Sequence, residues 1–393
     1  MMTPTRLLNR DQGRSLQYEL LPIPGLAFAS TVLVTVMVAS AVEAGVRKCT
    51  PVPTATFDFQ LENDFKEISL FHQSDDEYTN GIRFRWSQAI LNGANGPEHS
   101  VWPFRPRADR CFSVSYTFGQ NLYTPKDLLT PDRILTDRPY AAWLYVGYSI
   151  SAFTLTNRLG PMTGVRTLQI LDVNVGVIGP AAIGQWAQNH AHRWFNVRVY
   201  DGGPIKIAQG WPNQLPNEPA FFGEYKRDDK WTEAFVGESR VFDLVTTARG
   251  ALGTVFIFAG AGARARVGYG LQDSVIGRPT TIAWEYARLS DSKLAWVSKL
   301  VPTESYVFGA VEGRAVARNE FLDGTAFRDT PQSVEKRRGV GDVEIGGVVG
   351  WPVVKVTYRT VVRTSEYPLH PDNHYFGSID FTVWFKRTPI LRR

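Results

Sequence analysis

The sequence predicts an all-β protein, a transmembrane antiparallel β-barrel of about 12 strands with a short helix at its extracellular rim. Three observations carry this expectation. Strand-length segments alternate apolar and polar residues from Thr56 onward, no later window has the length and apolarity of a membrane helix, and the chain opens on an export-type leader.

In the leader, Arg6, Arg10 and Arg14 precede an apolar stretch from Leu26 to Ala41, and Val42-Glu43-Ala44 places small residues where signal peptidase requires them. That stretch falls short of the ~20 residues that span a bilayer. Residues 1–44 are therefore expected to be a cleaved signal peptide and 45–393 the mature barrel domain. The part before the apolar stretch is long and holds Asp11 and Glu19, which fits a start codon placed too far upstream. An exported chain without a spanning helix enters a membrane as a barrel, so the outer membrane of a Gram-negative bacterium is the expected location.

At 44% hydrophobic, 12% aromatic and 21% charged residues the chain is too polar for a bundle of membrane helices. The mixture suits a large soluble β protein as well as a barrel, whose strands alternate a lipid face with a polar lumen. A net charge of +5 admits a polyanionic partner. The basic residues are scattered singly, as at Arg83, Arg85, Arg264 and Arg266, so anionic lipid is retained as a partner class and nucleic acid is not expected.

The strands follow in order. The first is expected near 54–64, and in Gly81–Trp86 one face holds Ile82, Phe84 and Trp86 while the other holds Gly81, Arg83 and Arg85. Charge on one face is costly in a sandwich core and natural in a wet lumen. Similar segments lie near 110–121, 140–152, 164–177, 219–228, 238–248, 253–269, 304–319, 340–350, 353–364 and 375–385. The last ends in Phe381-Thr382-Val383-Trp384-Phe385, an aromatic closing strand, and is followed by a basic tail, 386–393, where such barrels usually stop. Cys49 and Cys111 both lie in the exported part, as a disulfide or as two unpaired thiols, and neither has a metal-ligand spacing.

One segment breaks the strand pattern. Gly179 to His192 opens with Pro180 and continues in good helix formers, which predicts a helix over 180–194. Gln188 and His192 are four apart and share a face, with Gly184 and Ala181 continuing that column, while His190 falls on the side of Trp186 and Arg193 as an interfacial residue. If the first strand runs outward, then Asn63, Asp64, Tyr78, Thr79, the 123–140 loop and the helix converge on the outer rim, and the alternation of connections supports this parity as far as the sixth strand. On spacing alone, a loop-capping histidine and a strand-ending Asn63-Asp64 turn are the commoner uses of these residues. Asp137 and Arg138 read as a rim ion pair of structural use.

Glu62-Asn63-Asp64, Asp75 to Gly81, Tyr123-Thr124-Pro125, Asp137 to Trp143, and Gly179 to His192 with Gly210-Trp211, Gln214 and Asn217-Glu218 form an ordered set. The set resembles the lipid A 3'-O-deacylase (LpxR-type) family in order and spacing, by motif over 54–228 and as a strand pattern to Phe385. The resemblance implies an esterase that removes 3'-linked acyl chains from lipid A in lipopolysaccharide, working between the barrel wall and a short helix with a histidine base and Ca2+. It matches His192 to the catalytic histidine, Gln188 and Thr79 to site residues, and Asn63 and Asp64 to the metal-binding end of the first strand. Lys126 and Arg133 fall where the family has a basic pair, and Tyr200 with Asp201 where it has an aromatic residue and a carboxylate. The alternative is a barrel without catalysis, a small pore, adhesin or assembly component.

Peptide sequencing should find the mature N-terminus near Gly45 in protein fractionating with the outer membrane, and recovery of a soluble, uncleaved chain would contradict the reading.

Overall fold

In the computed structural model the described residues are 54–63, 80–90, 104, 110–155, 166–199, 202–236, 239–271, 302–369 and 372–386. They form twelve strands: β1 Thr54–Asn63, β2 Asn80–Ile90, β3 Arg110–Tyr123, β4 Ala141–Leu155, β5 Arg166–Ile178, β6 Glu218–Val236, β7 Ser239–Gly253, β8 Phe256–Tyr269, β9 Glu304–Asn319, β10 Gly339–Gly350, β11 Val354–Arg363 and β12 His374–Lys386. Each strand pairs antiparallel with the next, and β12 closes on β1 from Thr54↔Lys386 to Asn63↔Gly377. Closure leaves no open sheet edge, the condition for backbone to cross hydrocarbon. Among the described residues no helix is long and apolar enough to cross a membrane.

Side-chain alternation follows the predicted faces. Phe84 and Trp86 are exposed at 36% and 39%, whereas Arg85 between them is buried at 5%. The outward row continues through Tyr116, Phe118, Val146, Tyr148, Val173 and Val175, all exposed apolar residues of β3, β4 and β5. Inside, charges are paired. Arg266 donates to Asp243 at 2.7 Å, Arg249 meets Glu224 at 3.2 Å, Arg264 meets Glu344 at 3.2 Å, and Arg314 and Arg363 share Asp342 at 3.0 and 2.9 Å. A guanidinium away from bulk water is tolerable only with such partners.

Two strands run further than expected. Glu218–Val236 and Ser239–Gly253 extend past the segments near 219–228 and 238–248, and the lumenal charges along them pair, Lys226 with Asp228 and Lys230 with Asp243. Uninterrupted antiparallel pairing carries the parity past the sixth strand to all twelve. Lys386, the first residue of the basic tail, belongs to β12, and the rest of the tail, the leader and Cys49 lie outside the described residues.

The outer end of the lumen is filled by aromatic rings. Phe321 sits on a one-turn helix, α2, Glu320–Asp323, capped by Asn319 accepting from the Phe321 N–H at 3.1 Å. Its ring stacks on Tyr123 at 3.8 Å and meets Phe256 edge-on at 5.5 Å, while Trp143 stacks on Tyr145 at 4.2 Å and meets Phe222 at 6.0 Å. Arg138 closes the same end through Glu366 at 3.0 Å. The Asp137–Arg138 ion pair expected from sequence is not formed; Asp137 instead accepts backbone N–H groups of Lys126 and Arg138 at 2.9 and 2.7 Å and the Tyr367 hydroxyl. Adjacent residues on an extended chain point apart, which is why the pair divides.

Glu218 accepts the Ala326 and Phe327 N–H groups at 2.6 and 3.2 Å, tying the β9–β10 connection to the rim. The Glu320 carboxyl lies fully buried beside it, and burial first, then the neighbouring Glu218 carboxylate, push it up to about 9, against a smaller opposing pull from Arg318. A carboxyl raised on folding is best tolerated below its unfolded value and loses stability as pH climbs toward the folded one. Trypsin cleavage at Arg328 and Lys336 should therefore accelerate between pH 7 and 10 in the wild type, and Glu320→Gln should flatten the dependence. A pH-independent wild type would contradict this.

Candidate active site

The β5–β6 connection begins at Gly179, whose N–H donates to the Ala142 carbonyl at 3.0 Å. A 3-10 turn, Pro180–Ala182, follows, then Ile183 in the left-handed region at φ 53, then the helix α1, Gly184–Trp194. The predicted single helix is thus broken at Ile183. The break shifts the apolar column by one residue, so Ala182 is fully buried in place of Ala181, which is exposed. Gln120 of β3 fixes the turn by donating to the Ala182 carbonyl at 2.6 Å, and Asn217 accepts from the Ala181 N–H at 2.7 Å.

The face α1 buries consists of Gly184, Gln188 and His192, at the spacing the sequence predicts. It packs against Ala142, Leu122 and Leu144 of β3 and β4, which point away from the lumen, so the helix lies on the outside of the barrel wall. A Cβ on Gly184 would sit 2.5 Å from the Ala142 methyl and 2.5 Å from the Trp211 ring. Glycine is required there by the approach, not by its own φ.

Trp211, on a second 3-10 turn, Trp211–Asn213, is fully buried and organises the site. Its indole N–H donates to Gln188 Oε1 at 2.7 Å, and its ring packs against Tyr140 at 5.1 Å. Gln188 Nε2 is buried without a hydrogen-bond partner among the described residues. His192 Nδ1 lies 2.6 Å from the Lys206 carbonyl. A carbonyl can only accept, so Nδ1 carries the proton and the neutral ring presents its lone pair on Nε2. The strand carrying Lys206 is returned to the helix by Val197 N–H on the His192 carbonyl and Lys206 N–H on the Val197 carbonyl, both at 2.8 Å.

Strand register ties Asn63 to this place. Asn63 pairs with Asn80, Asn80 with Leu122, and Leu122 with Ala142, the residue Gly184 touches. Asn63 and Leu122 lie two strands apart in one row, roughly 10 Å at the usual inter-strand spacing. The Asn63 side chain alternates with lumenal Glu62 and so shares the outward face, where it is buried at 3%. The structure places Gln188 and His192 on the wall-facing side of α1 and Asn63 on the outward face of β1, in the row of Leu122. Asp64, Thr79 and Tyr200 lie outside the described residues.

Lys126 is exposed in the β3–β4 loop, and Arg133 is exposed and donates to the Pro331 carbonyl, which ties the β3–β4 loop to the β9–β10 loop and not to α1. His190 is exposed and stacks on Trp186 at 4.3 Å, as its helix side requires. Gln120 and the Lys206 carbonyl carried no sequence signal, while Trp211 stood in a motif without a role.

A family model, described as outer membrane protein LpxR, matches residues 26–385. The chain belongs to the LpxR family of outer-membrane proteins. LpxR from Salmonella typhimurium superposes with a TM-score of 0.61 at 20% identity, covering 84% of this chain and all of that one, so the two share the fold. An outer-membrane channel from Pseudomonas putida F1 (TM-score 0.36, 10% identity, 88% and 100% coverage) and the transport unit of the autotransporter AIDA-I from Escherichia coli (0.33, 9%, 92% and 98%) are similar only as barrels. No curated protein sequence matches the chain.

Trp211→Phe should leave Gln188 Oε1 buried without its donor, a loss of about 1–3 kcal/mol in docking of α1. Trypsin cleavage after Arg193 and Arg198 should then rise roughly 5- to 150-fold through local opening, while heat-modifiable migration of the barrel is unchanged. Unaltered cleavage would contradict the proposed dependence of the helix on Trp211.

Proposed function

We propose that this LpxR-family protein is an outer-membrane esterase that removes 3'-linked acyl chains from lipid A by attack of water activated at His192. The observation that carries the reading is the tautomer of His192. With Nδ1–H donated to the Lys206 carbonyl at 2.6 Å, Nε2 is the proton-accepting nitrogen of the neutral ring, the atom that would take a proton from water. The water oxygen attacks the ester carbonyl carbon, and the proton on Nε2 passes to the departing sugar oxygen, so free acid and a free hydroxyl result. His192 is buried at 1%, which limits competing solvent.

The place of the site suits the substrate. Lipid A presents its acyl esters at the base of the headgroup, and α1 lies against the lipid-facing side of β3 and β4 at the outer end of the strands. Gln188, held through Oε1 by Trp211, has its Nε2–H2 group left to donate to substrate oxygen.

The amide of Asn63, already placed on that face, and the Asp64 carboxylate next to it in sequence are hard oxygen donors of the kind Ca2+ takes, with Thr79 retained as a catalytic residue. Asn63 and Asp64 would hold the ion; when bound, Ca2+ supplies Lewis-acid polarisation of an ester carbonyl.

The test is the lipid A mass profile of cells expressing each variant at matched levels of heat-modifiable barrel. His192→Ala should lower deacylation by ~10²–10⁴-fold, the usual worth of a general base, and His190→Ala should leave it near wild type. Chelation should abolish the activity and Ca2+ restore it. Retention by His192→Ala, or a dead His190→Ala, would sink the mechanism.

A further inference from the structure

The face of α1 opposite His192 is exposed and apolar, and the assigned site does not use it. Ile183, Trp186 and Trp194 are exposed at 50%, 60% and 86%, and Phe195, just past the helix, at 62%. Trp186, His190 and Trp194 recur every four residues on the side away from Gly184, Gln188 and His192, with exposed Arg193 beside them. Trp186 stacks on His190, and Trp194 stacks on Phe195 at 6.4 Å. No acidic residue occurs between Gly179 and Tyr200.

We infer that this aromatic, cationic face of α1 is a lipid-docking surface that seats the helix in the outer leaflet, with Trp186, Trp194 and Phe195 at the headgroup–acyl boundary and Arg193 against lipid phosphate. The occupant is lipid because the surface continues an existing lipid interface. Gly184 rests on Ala142, and beyond Leu144 the outward residues down β4, Val146 and Tyr148, are exposed apolar residues of the membrane belt. Val146 lies about 14 Å below Ala142 at the usual rise per strand residue, so the helix occupies the level just above that belt. Tryptophan suits such a boundary, having an apolar body and one N–H for water or phosphate. A second protein is disfavoured by position, since any partner there would have to displace lipid from the wall on either side of the helix. The lack of acid in the segment matches an anionic leaflet.

The inference concerns where the helix sits and does not depend on hydrolysis, so its test needs no activity. The full chain carrying Cys49→Ser, Cys111→Ser and Trp194→Cys is labelled with bimane and reconstituted in vesicles of phosphatidylethanolamine and phosphatidylglycerol. Nitroxide-labelled lipids then report depth. The label at 194 should lose more emission to a nitroxide at acyl carbon 5 than at carbon 12, as for a face ~5–10 Å into the boundary, and should resist aqueous iodide. A label at Asp132→Cys, exposed in the β3–β4 loop, should be quenched strongly by iodide and little by either nitroxide. A second measurement keeps the native cysteines: brominated lipid should quench the wild type more than Trp194→Phe. Position 194 quenched by iodide as strongly as position 132, or equal bromolipid quenching of wild type and Trp194→Phe, would overturn the inference.

Discussion

The close approach of α1 to the outer wall of the barrel is the constraint on which the site depends. Gly184 over Ala142 lets the helix backbone reach a surface of methyl groups, and any larger pair at that point would hold Gln188 and His192 off the wall. The approach is affordable only because Trp211 fills the remaining space with its ring and meets the polar part of Gln188 with its N–H at 2.7 Å. Packing and polar satisfaction are thus supplied by one side chain.

A second demand follows from placing irregular backbone beside lipid, where unpaired N–H and C=O groups have no water to turn to. The segment after α1 meets it by local pairing: Ala208 N–H to Asn189 Oδ1 at 3.2 Å, Gln209 N–H to the Leu128 carbonyl at 2.9 Å, and Lys206 N–H to the Val197 carbonyl at 2.8 Å. The Lys206 carbonyl goes to His192. The tautomer that suits a general base is therefore set by the same bookkeeping that stabilises the loop, and the proposed chemistry requires no separate orienting carboxylate.

Much of this was legible in sequence because barrels write their period plainly. Alternation at Ile82 to Trp86 marked the two faces, and the four-residue spacing of Gln188 and His192 marked the buried side of the helix. The end of the sixth strand was not legible past 228, where Lys230 finds its partner Asp243 only across the paired sheet. The break at Ile183 was hidden because it depends on Gln120, 62 residues away, holding the Ala182 carbonyl. Register across four strands, which brings Asn63 into line with Ala142, is likewise a property of the closed sheet.

The central claim is that catalysis occurs on the lipid side of the wall and not in the lumen, and neighbouring residues of β3 separate these most directly. Gln120 points outward beneath the Ala182 turn, whereas Asn121 points into the lumen beside Tyr123 and Arg363. Lipid A mass profiles of Gln120→Leu and Asn121→Leu, at equal amounts of heat-modifiable barrel, should show deacylation reduced in the first and retained in the second. Full activity in Gln120→Leu with loss in Asn121→Leu would place the reaction inside the barrel and contradict the account.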